Sequence, residues 1–287
     1  MLLREPTLLL DGLCFPEGPR WHKGRLFFSD MYAREVVAVD LQGKRETIAR
    51  VEGRPSGLGF GSDGRLRVVS MVDRRLLVIG DSGPSTVAEL SALSGGPCND
   101  MVLDAHDRAY VGNFGFSFEY GEAPRPASLA LVEANGSARL VADELVFPNG
   151  CAITPDGRTL IVAETFARRL TRFAIAPDGS LHDRRVFAEL SVLPDGICLD
   201  AEGCVWVASP AAPGGFLRVA EGGEVLQRIE LPDRFGYACM LGGPERRTLF
   251  LLEAFTSLPD RALPGNGRIR SVDVDVPGAG YPTALEA

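Results

Sequence analysis

The chain has 287 residues and a formal net charge of −8, with 45% hydrophobic and 24% charged residues. This is the balance of a folded globular protein, and it excludes intrinsic disorder. No run of lysine and arginine occurs, so a small-molecule substrate is the expected partner, rather than a nucleic acid or an anionic membrane surface.

The first six residues contain a charge pair and a proline before any long apolar run. This pattern fits neither a secretory signal nor a membrane-spanning segment, and it predicts a cytoplasmic protein. The six cysteines are scattered without a Cys-x-x-Cys pair, which predicts buried free thiols rather than disulfides or zinc ligands. No feature of the sequence indicates an oligomeric state.

One pattern recurs along the chain: a small or apolar stretch, a tight turn, and a β-rich run such as Leu26-Phe27-Phe28 or Val205-Trp206-Val207. The third turn residue falls at positions 24, 64, 107, 157, 203 and 246. Periods of this length are typical of four-stranded propeller blades. The sequence therefore predicts an all-β, six-bladed β-propeller with four-stranded antiparallel blades, formed by residues 1–287 as one domain. Residues 7–10 and 269–274 are expected to pair and close the ring.

One position is equivalent in every repeat and lies where the innermost strand begins. Counting back from each turn places there Glu17, Ser56, Asn99, Asn149, Asp195 and Ala238. Equivalent positions of propeller blades converge on the axis. Glu17, Asn99, Asn149 and Asp195 supply hard oxygen donors, which predict a site for one divalent cation. Ca²⁺ fits best, and Mg²⁺, Mn²⁺, Zn²⁺ and Fe²⁺ stay open.

Asn-Gly and Asp-Gly are also common turn dipeptides, so Asn149-Gly150 and Asp195-Gly196 have a plainer interpretation. Their phase in the repeat favours the ligand interpretation. The Pro-Asp-Gly tripeptide at 155–157 occupies the hairpin turn of its repeat, whereas the same tripeptide at 194–196 precedes a separate turn at 202–203.

Several motifs together resemble the SMP-30/gluconolactonase/LRE family: Glu-Gly-Pro-x-Trp at 17–21, Asn99-Asp100, Pro148-Asn149-Gly150 and Pro194-Asp195-Gly196. The resemblance covers nearly the whole chain. It implies a six-bladed propeller lactonase with a divalent ion at Glu17, Asn149 and Asp195. It also implies that Asn99 faces the substrate and reaches the ion directly or through water.

One position departs from the family pattern. Sugar lactonases of the family tend to carry an arginine two residues before the asparagine that matches Asn99, where it contacts substrate hydroxyl groups, and this chain has Pro97. The substrate is therefore expected to be less polar than a typical sugar lactone.

Residues 112–121 interleave glycines with four aromatic residues. A strand with one packed face would explain this pattern, and so would a pocket wall or lid. The second interpretation makes Phe114, Phe116 and Glu119 substrate-binding residues beside Asn99. Tyr237, like Glu164 and Glu253, falls near a strand end and is expected at the channel mouth.

No Ser-His-Asp arrangement is recognisable, which favours direct attack by water over an acyl-enzyme. A metal-polarised carbonyl would be attacked by water activated by Asp195, with Asp100 as a second candidate base. Two alternatives stay open: hydrolysis of another ester, thioester or dicarbonyl bond at the same metal, and a metal-binding propeller without turnover.

Overall fold

A computed structural model describes residues 5–212 and 214–280, and strands dominate this part of the chain. The strands form six four-stranded antiparallel sheets, which are arranged as the blades of a propeller. The predicted fold class is therefore confirmed. Blade one contains β2 (Pro16–His22), β3 (Arg25–Asp30), β4 (Glu35–Val39) and β5 (Arg45–Arg50). Blade two contains β6 (Pro55–Phe60), β7 (Leu66–Ser70), β8 (Arg75–Gly80) and β9 (Gly83–Glu89). Blade three contains β10 (Cys98–Leu103), β11 (Ala109–Asn113), β12 (Ala127–Val132) and β13 (Ala138–Leu145).

The other three blades follow the same order from the axis outwards. Blade four contains β14 (Pro148–Ile153), β15 (Thr159–Glu164), β16 (Arg169–Ile175) and β17 (Leu181–Glu189). Blade five contains β18 (Ile197–Leu199), β19 (Val205–Ser209), β20 (Gly215–Val219) and β21 (Val225–Glu230). Blade six contains β22 (Phe235–Gly242), β23 (Thr248–Ala254), β24 (Gly267–Asp273) and β1 (Thr7–Leu13). A 3-10 helix, Phe118–Tyr120, lies between β11 and β12. No helix in the described residues is long and apolar enough to cross a bilayer.

Each hairpin between the first and second strand of a blade turns through a left-handed residue at the predicted position. The φ angles are 79° at Gly24, 71° at Gly64, 60° at Asp107, 69° at Gly157, 79° at Gly203 and 56° at Arg246. Glycine adopts this conformation without steric cost. The turn chemistry read from the sequence therefore fixes where each innermost strand ends.

The ring closes by pairing of the two ends of the described chain. Strand β1 lies antiparallel to β24, with Thr7 opposite Ser271 and Leu8 opposite Arg270. The predicted pairing is therefore confirmed, and β1 becomes the outer strand of blade six. The innermost strand of every blade contacts the innermost strands of the two neighbouring blades.

Apolar layers between neighbouring blades form the core. Tyr110 and Leu131 of blade three pack with Leu160 and Val162 of blade four, and Trp206 of blade five lies in the layer against blade six. All five are buried, and each such side chain contributes about 1.5–3 kcal/mol of transfer free energy. The six cysteines are buried and free, as predicted.

Glu164 and Glu253 do not lie at the channel mouth, so this expectation was wrong. Both side chains are fully buried, and their carboxylates face outwards to arginines of the outer strands. Glu164 accepts hydrogen bonds from Arg169 and Arg184, while Glu253 accepts them from Arg268 and Arg270. A strand end near the mouth therefore does not by itself direct a side chain towards the axis.

The paired Glu164 should stabilise the fold in a pH-dependent way. Burial raises the pKa of Glu164, but hydrogen bonds from Arg169, Thr171 and the Val146 N–H outweigh this and lower it. Its stabilising contribution is thus present above the unfolded pKa, about 4.3, and is lost as pH falls through the lower folded pKa. We expect Glu164→Gln to reduce the free energy of urea unfolding by about 2 kcal/mol at pH 7.

The matched control is Glu221→Gln, which removes an exposed pair with Arg172 and should cost less than about 1 kcal/mol. The difference in the free energy of urea unfolding between wild type and Glu164→Gln should become smaller when unfolding is repeated at lower pH, down to pH 3. Equal losses for the two variants, or a gap that does not change with pH, would contradict this role of Glu164.

Candidate active site

The pairing register identifies the residues that surround the channel at one level. Pro16, Pro55, Cys98, Pro148 and Gly236 occupy equivalent places opposite the end of the second strand. The residue that follows each of these five belongs to what we call the axial ring. In blade five the equivalent residue is Asp195, two places before Ile197, which pairs with Val207. The axial ring therefore consists of Glu17, Ser56, Asn99, Asn149, Asp195 and Tyr237.

The sequence count predicted Ala238 for blade six, and this was wrong. In blade six Leu241 pairs with Leu249 and Gly242 with Thr248, so the hairpin extends by one residue between the axial ring and its turn. Tyr237 occupies the axial position instead. The sequence placed it at the channel mouth only because it falls near a strand end. Tyr237 is buried.

A chain of hydrogen bonds joins the neutral side of the axial ring. Ser56 Oγ donates to Asn99 Oδ1 at 3.2 Å, and Asn99 Nδ2 donates to Asn149 Oδ1 at 2.8 Å. Asn149 Nδ2 donates to Thr165 Oγ1 at 3.3 Å, and this hydroxyl donates to Pro194 O at 2.8 Å. The two predicted asparagine ligands therefore lie together and are oriented by Ser56 and Thr165. Thr165 gave no signal in the sequence beyond its place at the end of β15.

The other side of the axial ring is acidic and electrostatically unsatisfied. Burial, followed by the charges of Asp195 and Asp100, raises the pKa of Glu17 well above its usual range. Burial and the Asp100 charge do the same to the pKa of Asp195. Asp195 Oδ1 is buried and has no hydrogen-bond partner among the residues that the structure describes. A buried carboxylate oxygen without a partner is costly, and a cation between these groups would remove that cost.

The donor set therefore fits one hard divalent cation. No group of three or more His, Cys, Asp or Glu side chains arranged to hold a metal occurs in residues 5–212 and 214–280. Glu17 and Asp195 would consequently need the amide oxygens of Asn99 and Asn149 to complete a binding set. Oxygen-only sets of this kind suit Ca²⁺ and Mg²⁺.

Asp100 stands next to the axial ring, where blades one, two, four and five have glycine. Its Oδ1 accepts a hydrogen bond from the Met101 N–H at 2.8 Å and lies 3.5 Å from Arg20 Nη2. Burial raises the pKa of Asp100, and Arg20 and the Met101 N–H counteract part of this effect. The second predicted base is thus already engaged by a buried arginine that sequence reasoning did not identify.

The glycines that follow the axial ring are required by close packing. A Cβ atom on Gly18 would lie 2.5 Å from Ser56 O, one on Gly57 2.3 Å from Met101 N, one on Gly150 2.5 Å from Ile197 N, and one on Gly196 2.6 Å from Ala238 Cα. Such distances to backbone atoms are not tolerated. Asn149-Gly150 therefore lies within the inner strand β14, and Asp195-Gly196 directly precedes the inner strand β18. Neither dipeptide forms a hairpin turn, as their phase predicted.

A loop of residues 114–126, which we call the rim loop, crosses from blade three to blades one and two. It begins where the Phe114 N–H bonds Pro97 O at 3.0 Å. Arg54 Nη1 lies 2.7 Å from both carboxylate oxygens of Glu119, and Tyr32 Oη donates to Glu119 Oε1 at 3.3 Å. The structure therefore places Glu119 in a bridge that fixes the rim loop.

Five phenylalanine rings meet beside the axial ring, and we call them the phenylalanine cluster: Phe114, Phe116, Phe118, Phe147 and Phe166. Phe114 and Phe147 stack with ring centroids 4.3 Å apart, and Phe147 and Phe166 lie 4.5 Å apart. Phe116 is buried, whereas Phe118 and Phe166 are 47% and 42% exposed. The sequence predicted Phe114 and Phe116 here and missed Phe147 and Phe166, which adjoin Pro148 and Thr165.

Two cavities lie near the inner strands. One of about 180 Å³ lies between the rim loop and blade two, lined by Arg54, Pro97, Phe114 and Glu119 among others. The other, of about 50 Å³, lies at the hairpin end of the channel beside Trp21, where one or two waters fit but no substrate ring does. Of these two cavities, the one beside the rim loop has more space.

The chain is similar to known lactonases over much of its length. Residues 15–255 match the profile of the SMP-30/gluconolactonase/LRE-like region. The 6-deoxy-6-sulfogluconolactonase of Pseudomonas putida is 30% identical over 161 residues, which are 54% of this chain and 55% of that protein, so the match spans about half of that relative. The pentonolactonase of Haloferax volcanii is 27% identical over 266 residues, 86% of this chain and 84% of that protein.

Solved structures of similar fold include two bacterial proteins. A gluconolactonase from Xanthomonas campestris superposes with a TM-score of 0.75 at 23% identity, covering 94% of this chain and 89% of that one. A regucalcin from Agrobacterium tumefaciens, described as a calcium-binding protein, gives 0.81 at 22% identity, covering 99% and 98%. These likenesses support the propeller fold.

The packing of Gly150 can be tested directly. We expect Gly150→Ala to lower the free energy of urea unfolding by more than about 3 kcal/mol, because the new methyl group would meet the backbone of the Asp195–Ile197 segment. Gly157→Ala is the control: a Cβ there meets nothing within 4 Å, and only the φ of +69° opposes it, which costs about 1 kcal/mol. Similar losses for the two variants would refute the close-packing explanation.

Proposed function

Because the chain belongs to the SMP-30/gluconolactonase/LRE-like family, we propose that it is a metal-dependent hydrolase that opens a lactone less polar than a typical sugar lactone. The observation that carries the proposal is the axial ring, in which Asp195 Oδ1 is buried without a partner beside Glu17, Asn99 and Asn149. The lactonase names of the Pseudomonas and Haloferax relatives support the opening of a lactone; the low polarity of the substrate is our proposal.

Glu17, Asn99, Asn149 and Asp195 are the residues that would hold the cation. Ca²⁺ is the ion we favour, in keeping with the description of the Agrobacterium regucalcin, and Mg²⁺, Mn²⁺, Zn²⁺ and Fe²⁺ are the alternatives. When bound, the ion supplies Lewis-acid polarisation of the ester carbonyl.

The protein's own groups would carry out the proton transfers. Asp195 would help to hold the cation and would also accept a proton from water as the water oxygen adds to the carbonyl carbon. The ring C–O bond then breaks, the leaving oxygen takes up a proton, and a hydroxy acid results. Asp100, engaged by Arg20, is the second candidate for the base, and Asn99 and Tyr237 contact the substrate from the axial ring.

The mouth of the channel supports a substrate with few hydroxyl groups. Pro97 lines the larger cavity together with Phe114 and Phe118, and proline offers no side-chain donor to a hydroxyl group. Five charged residues line this cavity, and Arg54 binds Glu119 there while Arg34 binds Glu52. The fifth, Asp73, accepts a hydrogen bond from the Ser70 hydroxyl. Hydrolysis of an aryl ester at the same site is the alternative that the phenylalanine cluster favours.

A non-catalytic, metal-binding propeller is the alternative from another class, and the calcium-binding description of the Agrobacterium structure favours it. Metal-stripped protein separates these functions. Each divalent ion is added back, and acid release from sugar lactones, alkyl lactones and aryl esters is followed with a pH indicator.

We expect turnover of a weakly polar lactone to return with one or more ions and to fall at least about 100-fold in Asp195→Asn. Calorimetry should show the same variant binding that ion more weakly. The matched control is Asp156→Asn, which changes the same Pro-Asp-Gly tripeptide at a hairpin turn, where Asp156 Oδ1 only accepts local hydrogen bonds.

The control should keep both turnover and ion affinity. Ion binding that depends on Asp195 without turnover of any compound would favour the metal-binding propeller. Turnover that survives both metal removal and Asp195→Asn would refute the proposed mechanism.

A further inference from the structure

Two large apolar rings stand exposed side by side next to the axial ring. The centroids of Phe118 and Phe166 lie 6.1 Å apart with the ring planes tilted by 46°, and the two residues are 47% and 42% exposed. They come from the rim loop and from the end of blade four, with the buried Phe147 between them. At this distance the two rings touch, and their exposed faces form an apolar surface that opens to solvent, which we call the wedge.

The backbone of Phe147 is strained in a way that serves this arrangement. Its φ angle is +57°, a left-handed conformation that costs a side chain with a Cβ atom about 1–2 kcal/mol and costs glycine almost nothing. In this conformation the ring contacts Phe114 and Phe166 at 4.3 and 4.5 Å between centroids. Arg54 has the same conformation at the equivalent place before the proline that begins an inner strand, so the conformation belongs to this turn of the blade.

Short stretches of chain connect the phenylalanine cluster to the oxygens of blades three and four. Phe147 precedes Asn149 by two residues, and Phe166 follows Thr165, whose hydroxyl accepts a hydrogen bond from Asn149. Two residues of chain span at most about 7 Å. A group attached to a ring bound at the axis therefore reaches the wedge.

The position of Phe118 is set by the bridge that fixes the rim loop. Glu119 follows it in the 3-10 helix and is held by Arg54. Arg54 itself has a φ angle of +66°, so a second strained residue holds this side of the wedge. Both walls are thus placed by the scaffold before a ligand arrives, which reduces the entropy lost on binding.

We propose that the phenylalanine cluster is a substrate subsite that binds an apolar alkyl or aryl substituent of the lactone, with Phe118 and Phe166 as its specificity-determining walls. The inference rests on the proposed lactonase function for the identity of the ligand, and on the geometry of the five rings for the subsite itself.

The first test compares γ-butyrolactone with γ-lactones that carry longer alkyl chains or a phenyl group. In wild type, kcat/KM should rise about fourfold per buried methylene until the wedge is filled. In Phe166→Ser the ratio of kcat/KM for a substituted lactone to kcat/KM for γ-butyrolactone should fall at least tenfold. Phe255→Ser is the control, because Phe255 is equally exposed, at 50%, but lies on blade six over Arg234.

A second readout does not depend on turnover. The uncharged dye N-phenyl-1-naphthylamine should fluoresce on binding to wild type, to chelator-treated protein and to Asp195→Asn, and its affinity should fall at least tenfold in Phe166→Ser and Phe118→Ser. Urea unfolding of these serine variants verifies that they remain folded.

The two readouts distinguish the possible failures. Dye binding that depends on the wedge, without hydrolysis of any lactone, would overturn the proposed function and leave the subsite standing. Hydrolysis with an unchanged substituent ratio and unchanged dye affinity in Phe166→Ser would overturn the subsite. A rise of kcat/KM with substituent size in either the alkyl or the aryl series supports the subsite and identifies the substituent that it binds.

Discussion

In four of the six blades the innermost strand lies so close to the next blade that no space is left for a Cβ atom beside the axial ring. Gly18, Gly57, Gly150 and Gly196 face the backbone of the next blade at distances that exclude any larger residue. Because side chains alternate along a strand, a glycine between the blades places the preceding side chain in the channel. The close approach thus assembles six side chains from distant parts of the chain into one ring.

The axial ring divides the work of binding between two kinds of groups. Hydrogen bonds hold Asn99 and Asn149 in place through Ser56 and Thr165, so their amide groups are oriented before any ligand binds. In contrast, Asp195 is buried and Glu17 is half-buried, and both lie near the charge of Asp100. A folded protein tolerates such a local cost where function requires it. In the proposed site the neutral side would supply geometry, and the acidic side would supply affinity for a positive charge.

Local, repeated signals made the fold and most of the axial ring predictable. The turn residues recur with the blade period, and each adopts the left-handed conformation its position requires. Counting back from the hairpin turn missed Tyr237, because the hairpin of blade six is longer by a single residue. A periodic pattern does not reveal such a change. The bridge from Arg54 to Glu119 and the bond from Tyr32 to Ser257 join residues 65 and 225 positions apart. No repeat links these residues, so only the folded chain shows how the rim loop is held.

The pairing of β1 with β24 affects how the molecule folds as well as its final shape. Thr7 and Ser271 are 264 residues apart and lie in one blade. Contacts between such distant residues are slow to form, because a long loop must close before any stabilisation is gained. Blade six is therefore the last blade that a nascent chain can complete, because its outer strand β1 leaves the ribosome before the other described strands and must wait for β22, β23 and β24. Until then the ring stays open, with strand edges free to pair with other chains, and the speed of this last step sets how long the protein is exposed to aggregation.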